Sequence, residues 1–291
     1  MDLSALPKAG ELSKLGARAP RWSPGLPFAA YSEVFASGRE GSGAAAALAL
    51  ARDNGLAVVL ITNAPRPARE VIAQLELLGV PANSWDTVIT SGDVTRDLIA
   101  AGPRRVYHLG PERDLVIYDG LDVEVVEEAD ATAVVCTGLF DDEAETPEEY
   151  AAALRRFRSR NLPFICANPD IVVERGERLI WCAGALARDY ALLGGRTLIA
   201  GKPHRPIYEA ALAAAGERLG RKLELAETLA IGDGMLTDVK GGDDMGLDVL
   251  YVSGGIHARE YGEAARPDPL RLSAFLEAHG RRPVAVIPAL R

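Results

Sequence analysis

Three short stretches of this chain place oxygen and nitrogen groups where metal and phosphate chemistry could use them. The first is Gly232-Asp233-Gly234, which ends the apolar run Leu229-Ala230-Ile231 and is followed by Asp238. A strand-end aspartate is a hard oxygen ligand suited to Mg²⁺, and a second aspartate on the same loop can orient metal-bound water. Glycine on either side leaves room for a ligand, although Gly-Asp-Gly also suits a plain turn. The second stretch is Thr62-Asn63-Ala64-Pro65-Arg66-Pro67, where a hydroxyl and an amide emerge between an apolar strand and the next helix. Free N–H groups at a helix start can hold a phosphate, and capping that helix is the alternative use. The third is Gly201-Lys202-Pro203-His204. An ammonium fixed between glycine and proline can neutralise a phosphate or crowded carboxylates, or it can sit in an exposed turn.

Further groups follow strands in the same manner. Asn168-Pro169-Asp170 ends the apolar run at residues 164–167, and His257 follows Ser253-Gly254-Gly255-Ile256. Asp141-Asp142-Glu143 and the stretch from Trp181 to Ala185, expected as a turn, are candidate substrate contacts whose plain alternative is solvated loop. Ser91 or Asp93 is expected to cap a helix over residues 94–101.

The elements that must position these groups alternate in type. Residues 43–54 form an alanine-rich helix that Asn54-Gly55 stops, residues 56–61 an apolar β-branched strand, residues 68–78 a helix and residues 86–90 a strand. From Arg105 the strands shorten, at residues 106–109, 115–118, 133–136 and 164–167, with a helix from Pro147 to about Arg160. Strands at 197–200, 229–232, 249–252 and 284–287 and helices at 206–219 and 270–279 complete the pattern. This is an α/β chain with a parallel sheet core and a smaller α/β segment inserted into it. Residues 1–27, with Pro7, Pro20, Pro24 and Pro27 among glycines, form an irregular arm with room for a short helix at 11–15, and residues 28–35 form a short strand.

Composition narrows the partners. With 41 Asp+Glu against 32 Lys+Arg, a formal charge of -9 offers no basic field to nucleic acid or to an anionic membrane, so small molecules are expected instead. No apolar run reaches the ~18 residues a membrane span needs, and no charged n-region precedes an apolar segment, which favours the cytoplasm. Cys136, Cys166 and Cys182 are isolated among small or apolar residues and are expected as buried thiols.

Taken in order, a strand ending in Thr62, an inserted α/β segment, Lys202 before a helix, and Gly232-Asp233 with Asp238 resemble the haloacid dehalogenase (HAD) phosphatase superfamily. The resemblance is to subclass IIA, whose cap is inserted between the threonine and lysine motifs. Leu60-Ile61-Thr62-Asn63, Thr90-Ser91-Gly92-Asp93, Ala167-Asn168-Pro169-Asp170 and Gly201-Lys202-Pro203 look like that subclass, over roughly residues 43–260. It implies a Rossmann-like HAD core over residues 28–103 and 196–291 and an inserted α/β cap over 104–195 that selects the leaving group and can pair two copies. It also implies Mg²⁺-dependent phosphoryl transfer to an aspartate. Thr62, Lys202 and Asp238 would be catalytic, Thr62, Asn63, Asn168, Asp170 and Lys202 would touch a phosphorylated small molecule, and Asp233 and Asp238 would hold the metal.

One part of that pattern is missing. The family's nucleophile is an aspartate ending a strand upstream of the helix at 43–54, and counting back places it near Phe28 or Ala29, or at Ser32 after a deletion. No Asp or Glu stands between Glu11 and Glu33. Ser32 has no evident general base, and Glu33 has the charge but a longer arm. A phosphate-binding protein with impaired turnover is therefore expected. An active phosphomonoesterase with another nucleophile and a non-catalytic interaction protein are the alternatives.

Overall fold

The computed structural model describes residues 28–31, 41–175 and 178–291. The expected arm and the helix at 11–15 lie outside them, as do Ser32 and Glu33. Along the chain, β1 (Phe28–Tyr31), α1 (Gly41–Asp53), β2 (Ala57–Thr62), α2 (Ala68–Leu77), β3 (Thr87–Thr90) and α3 (Ser91–Ala100) come first. There follow β4 (Arg105–Leu109), β5 (Glu124–Val125), β6 (Ala133–Cys136), α4 (Ala151–Ser159), β7 (Phe164–Cys166), β8 (Val172–Arg175), β9 (Arg178–Trp181), α5 (Ala183–Leu192) and β10 (Thr197–Ile199). The chain continues through α6 (Arg205–Leu219), β11 (Thr228–Gly232), α7 (Lys240–Asp244), β12 (Asp248–Val252), β13 (Gly262–Glu263), β14 (Arg266–Pro267), α8 (Pro269–Ala278) and β15 (Ala285–Ile287).

The described residues form two compact units, one of those up to Ile61 with Ile72–Ile89 and Tyr208–Arg291, the other of those in Thr62–Val71 and Thr90–Ile207. The first carries a sheet in the order β15-β12-β11-β1-β2-β3. The pairs β15–β12, β12–β11, β11–β1 and β1–β2 are all parallel. Continuous apolar runs such as Ala57-Val58-Val59-Leu60-Ile61 and Val249-Leu250-Tyr251-Val252 are buried along their length, as strands covered on both faces must be. From β1 the chain builds toward β2 and β3 on one side, while β11, β12 and β15 lie on the other. The order therefore reverses at the β1–β11 pair, the position where open α/β sheets bind ligands.

Asp86, just before β3, ties this unit together. Its carboxylate accepts from Arg52 Nη2 at 2.8 Å, from Arg218 Nε at 2.9 Å and from the Val58 N–H at 2.8 Å, linking α1, α6 and β2.

The second unit holds a five-stranded sheet, β10-β7-β6-β4-β5, with every neighbouring pair parallel. Alternation along β6 divides its core. Val134 and Cys136 pack with Leu154 and Phe157 of α4 and Leu186 and Tyr190 of α5, while Ala133 and Val135 pack with Ile99 of α3 and Ile117. Full burial of a ring such as Phe157 contributes about 2–3 kcal/mol to the face it anchors. The Tyr190 hydroxyl reaches the Leu162 carbonyl at 2.6 Å, which satisfies its one polar atom in the core. The three cysteines are buried free thiols, as expected.

Three local expectations are corrected. Residues 115–118 are not a strand but the end of a 3-10 turn, Glu112–Tyr118. Four apolar residues do not distinguish the two, whereas Pro111 followed by Glu112 and Asp114 is the signature of a helical first turn. The stretch from Trp181 to Ala185 is not a turn: β9, paired antiparallel with β8, ends at Trp181, and α5 starts at Ala183. The cap of α3 is neither Ser91 nor Asp93 but Thr90, whose hydroxyl oxygen accepts from the Asp93 N–H at 2.9 Å.

Candidate functional site

In the first unit, buried β11 delivers Asp233 and Asp238, which are 6% and 5% exposed. The glycines around them answer to close approach rather than to turn formation. A Cβ on Gly232 would stand 2.5 Å from the Asp238 carboxyl carbon, and one on Gly255 would stand 2.0 Å from Asp233 Oδ2. Backbone donors aim both carboxylates, since Asp233 Oδ2 accepts from the Ile256 N–H at 3.0 Å and Asp238 Oδ2 from the Gly234 N–H at 2.9 Å.

Asp238 lies in a single wide π turn, Met235–Val239, of a kind that recurs at functional sites. Two side chains hold this turn from outside. The Met235 N–H donates to His257 Nε2 at 3.2 Å, and the Tyr208 hydroxyl donates to the Thr237 carbonyl at 3.2 Å. Because His257 accepts at Nε2, its neutral ring carries the proton on Nδ1, and burial, aided by nearby His279, lowers its pKa. His257 thus braces the aspartate loop and is not merely an exposed residue.

Donor chemistry here fits Mg²⁺, which takes hard oxygens and commonly binds through one or two carboxylates with water and substrate phosphate completing its shell. Among the described residues no group of three or more His, Cys, Asp or Glu could hold a metal, so the two carboxylates do not by themselves make up a full set of protein ligands.

In the second unit, Asn63 is the organising residue. It is 2% exposed, its Oδ1 accepts from the Lys202 N–H at 2.7 Å, and its Nδ2 donates to Asp170 Oδ1 at 2.8 Å and to the Lys202 carbonyl at 3.1 Å. Gly201 is required beside it, because a Cβ there would stand 2.5 Å from Asn63 Oδ1. Asn168 Oδ1 accepts from the Asp170 N–H at 3.0 Å and so shapes the turn that presents Asp170. The structure therefore gathers Asn63, Asn168, Asp170 and Lys202 into one network. Lys202 is 1% exposed, which rules out the exposed-turn alternative.

Nor do Thr62 and Asn63 cap α2. The Thr62 hydroxyl oxygen accepts from the Ala64 N–H at 3.2 Å, and the first N–H of α2, on Ala68, is taken at 3.1 Å by the Asp93 carboxylate. The acidic loop is ordinary structure: Asp142 pairs with Arg113 at 2.5 Å, and the Asp141 N–H donates to Glu145 at 2.8 Å.

Sequence reasoning passed over one group. Asp114, in the turn after β4, and Thr137, directly after β6, are 5% and 4% exposed. Asp114 was hidden by the expectation of a strand beside it. The signal that could have found it is a carboxylate in the first turn after a proline.

As for the first motif, β1 pairs Phe28 with Thr228 and Ala29 with Leu229, and its last pairings are Tyr31 with Ile231 and with Leu60. Phe28 and Ala29 thus begin the strand rather than end it, and the residues next in sequence after its carboxyl end are Ser32 and Glu33.

A doubly wound parallel sheet with aspartates at its switch point, and a second α/β unit carrying a buried lysine, define a HAD-type fold. Residues 34–124 match the family described as haloacid dehalogenase-like hydrolase, and residues 199–278 match a HAD-hydrolase-like family. The crystal structure of a haloacid dehalogenase-like hydrolase from Brucella suis 1330 is 58% identical, with a TM-score of 0.78, over 91% of this chain and 96% of that one. The 5'-nucleotidase YutF of Bacillus subtilis is 29% identical over 72% of this chain and 79% of the relative. The acid sugar phosphatase of Staphylococcus haemolyticus is 28% identical over 68% of this chain and 72% of its own length. The chain belongs to the haloacid dehalogenase-like hydrolase family.

Proposed function

We propose that this chain is a HAD subclass IIA phosphatase-like protein that binds a phosphorylated small molecule and turns it over slowly, because its first motif lacks the nucleophilic aspartate. The observation that carries the reading is Asn63, which fixes the Lys202 backbone and Asp170 from one buried amide. A lysine ammonium is a point charge of the kind that binds phosphoryl oxygens.

In this reading Thr62 and Lys202 take the phosphoryl oxygens, and Asp233 and Asp238 hold Mg²⁺. Such an ion would supply charge neutralisation when bound. Asn63, Asn168 and Asp170 orient the phosphate end of the ligand, and residues 104–195 act as a cap that selects the leaving group and offers a face for pairing two copies. The relatives named as a nucleotidase and a sugar phosphatase support a small phosphomonoester. No helix among the described residues is long and apolar enough to cross a membrane, which accords with a cytoplasmic setting.

The test is phosphate release from sugar phosphates, nucleotides and an aryl phosphate, with and without Mg²⁺, together with direct binding of the same compounds. Binding with little release is expected. Rapid Mg²⁺-dependent release abolished by Asp233→Asn would instead establish a full phosphatase.

That second reading has one observation in its favour. Counted along the chain, Glu33 follows Tyr31 by two residues just as Asp233 follows Ile231 by two, and Tyr31 and Ile231 are register partners. A carboxylate is therefore present in the sequence at that count, one methylene longer than the family's aspartate.

A further inference from the structure

The aspartate loop of the first unit departs from an ordinary helical turn, and side chains from two other segments meet it at the departure. Over Met235–Val239 the Val239 N–H donates to the Gly234 carbonyl at 3.0 Å, five residues back, and the Lys240 N–H reaches the Met235 carbonyl in the same way. An α-helix closes four residues back and advances about 100° per residue, so a turn that takes in one extra residue aims the side chains after it about 100° from their α-helical direction. Asp238 lies at that point. It folds back on the end of β11, where a Cβ on Gly232 would stand 2.4 Å from the Asp238 Cβ.

Two backbone groups of the wide turn have partners outside it. The Met235 N–H, a first-turn donor with no carbonyl to meet within its own helix, is taken by His257 Nε2 at 3.2 Å. The Thr237 carbonyl accepts from the Tyr208 hydroxyl at 3.2 Å. Glycines make room for this arrangement, since a Cβ on Gly241 would stand 2.2 Å from the Tyr208 hydroxyl oxygen and one on Gly234 would stand 2.1 Å from the Thr237 hydroxyl oxygen.

Both clamps are themselves anchored. Tyr208 is buried on α6. The His257 ring packs on Phe275 of α8 with centroids 5.2 Å apart. Its backbone belongs to a loop tied to the end of β15, where the Ser253 and Gly254 N–H groups donate to the Ile287 and Pro288 carbonyls at 2.8 and 2.9 Å. Consecutive residues of that loop reach the two aspartates by different routes: the Ile256 N–H aims Asp233 directly, and the His257 ring holds the turn that carries Asp238. One segment thus governs both carboxylates.

We propose that His257 and Tyr208 are positioning residues that keep residues 235–239 in the wide register and so set Asp238 beside Asp233 as a pair able to take one divalent cation. This rests on the reading of the two aspartates as Mg²⁺ ligands and adds what holds them in place. Each clamp acts through the backbone of the turn rather than by touching ion or phosphate. Loss of a group that orients a metal's ligands costs about 10–100-fold in affinity for the ion.

The experiment is calorimetric titration of Mg²⁺ into the full chain for wild type, Asp233→Asn, His257→Phe, His257→Gln and Tyr208→Phe, with inorganic phosphate titrated in parallel in Mg²⁺-free buffer. Phenylalanine keeps a ring against Phe275 but has no acceptor, whereas glutamine carries an amide oxygen at the reach of Nε2. His257→Phe and Tyr208→Phe should each lose about tenfold toward Mg²⁺, and His257→Gln should return to within about threefold of wild type, with phosphate affinity unchanged throughout. Tyr208→Phe removes a single oxygen and tests the clamp even if His257→Phe fails to fold. Unchanged Mg²⁺ affinity in either folded phenylalanine variant, a glutamine variant no better than the phenylalanine one, or an equal loss of phosphate affinity would overturn this inference alone. Absence of Mg²⁺ binding by wild type, or binding that Asp233→Asn leaves intact, would overturn the metal reading with it.

Discussion

Asn63 and Lys202, 139 residues apart in sequence, are joined by two hydrogen bonds in opposite directions: the amide oxygen accepts from the Lys202 N–H at 2.7 Å, and the amide nitrogen donates to the Lys202 carbonyl at 3.1 Å. The same nitrogen reaches Asp170 at 2.8 Å. A carboxamide has a donor and an acceptor side by side, and no other small side chain serves all three contacts.

Asn63→Asp is therefore the informative change, because it keeps the shape and the acceptor but loses both donated bonds and sets a second carboxylate against Asp170. It is expected to destabilise the fold by about 2–4 kcal/mol and to weaken inorganic phosphate binding. Chemical denaturation and phosphate titration measure the two effects. Wild-type values in both would show that the bridge positions nothing.

Gly255 presses on Asp233, so Gly255→Ala puts a methyl group where a carboxylate oxygen now lies, 2.0 Å away. Asp233 must then turn or the 253–256 loop must withdraw. The expectation is about a tenfold loss of Mg²⁺ affinity with at most about 1–2 kcal/mol lost in folding. Titration of Mg²⁺ followed by calorimetry reads the first, and an unchanged ion affinity would separate Asp233 from metal binding.

Asp86 gives a prediction in pH. Burial alone would raise its pKa, but hydrogen bonds from Arg52, the Val58 N–H and Arg218 outweigh that and hold it below the ordinary carboxylate value. A depressed folded pKa means that its stabilisation is complete above the unfolded value, about 4, and is lost as pH falls through the folded one. Against Asp86→Asn, wild type should be more stable by about 1–3 kcal/mol at pH 7, with the gap narrowing steadily below about pH 4. Both arginines keep solvent contact, which holds the figure at the low end for a buried ion pair. A gap that widens in acid would reverse the sign and refute the account.

These side chains show what sequence carries and what it does not. The apolar runs of β2, β11 and β12 and the glycine-bounded Asp233 and Lys202 were legible because periodicity and strand-end chemistry are local. The link from Asp93 to the first turn of α2, the Asn63 bridge and the role of His257 were not, since each joins segments 22 or more residues apart whose meeting depends on the sheet order. Asp114 was lost for a smaller reason: four apolar residues after it fit a strand and a 3-10 turn equally well.

The last prediction concerns Glu33. The register of β1 makes Ser32 and Glu33 the first residues past its carboxyl end in sequence, and of the two only Glu33 has a charge to offer a metal or a phosphorus atom. Glutamate differs from the family's aspartate by one methylene, which displaces the attacking oxygen by about 1 Å, and a misplacement of that size costs about 10²-fold in rate. Glu33→Asp should therefore raise Mg²⁺-dependent phosphate release by about 10–100-fold, and Asp233→Asn in the same chain should abolish the gain. Ser32→Asp is the comparator, because it supplies the same charge one position earlier in the sequence. If Ser32→Asp is the variant that gains activity, the first motif ends one residue earlier than the register implies. If neither gains, the loss of turnover has a cause other than the missing aspartate, and slow chemistry cannot be assigned to the first motif.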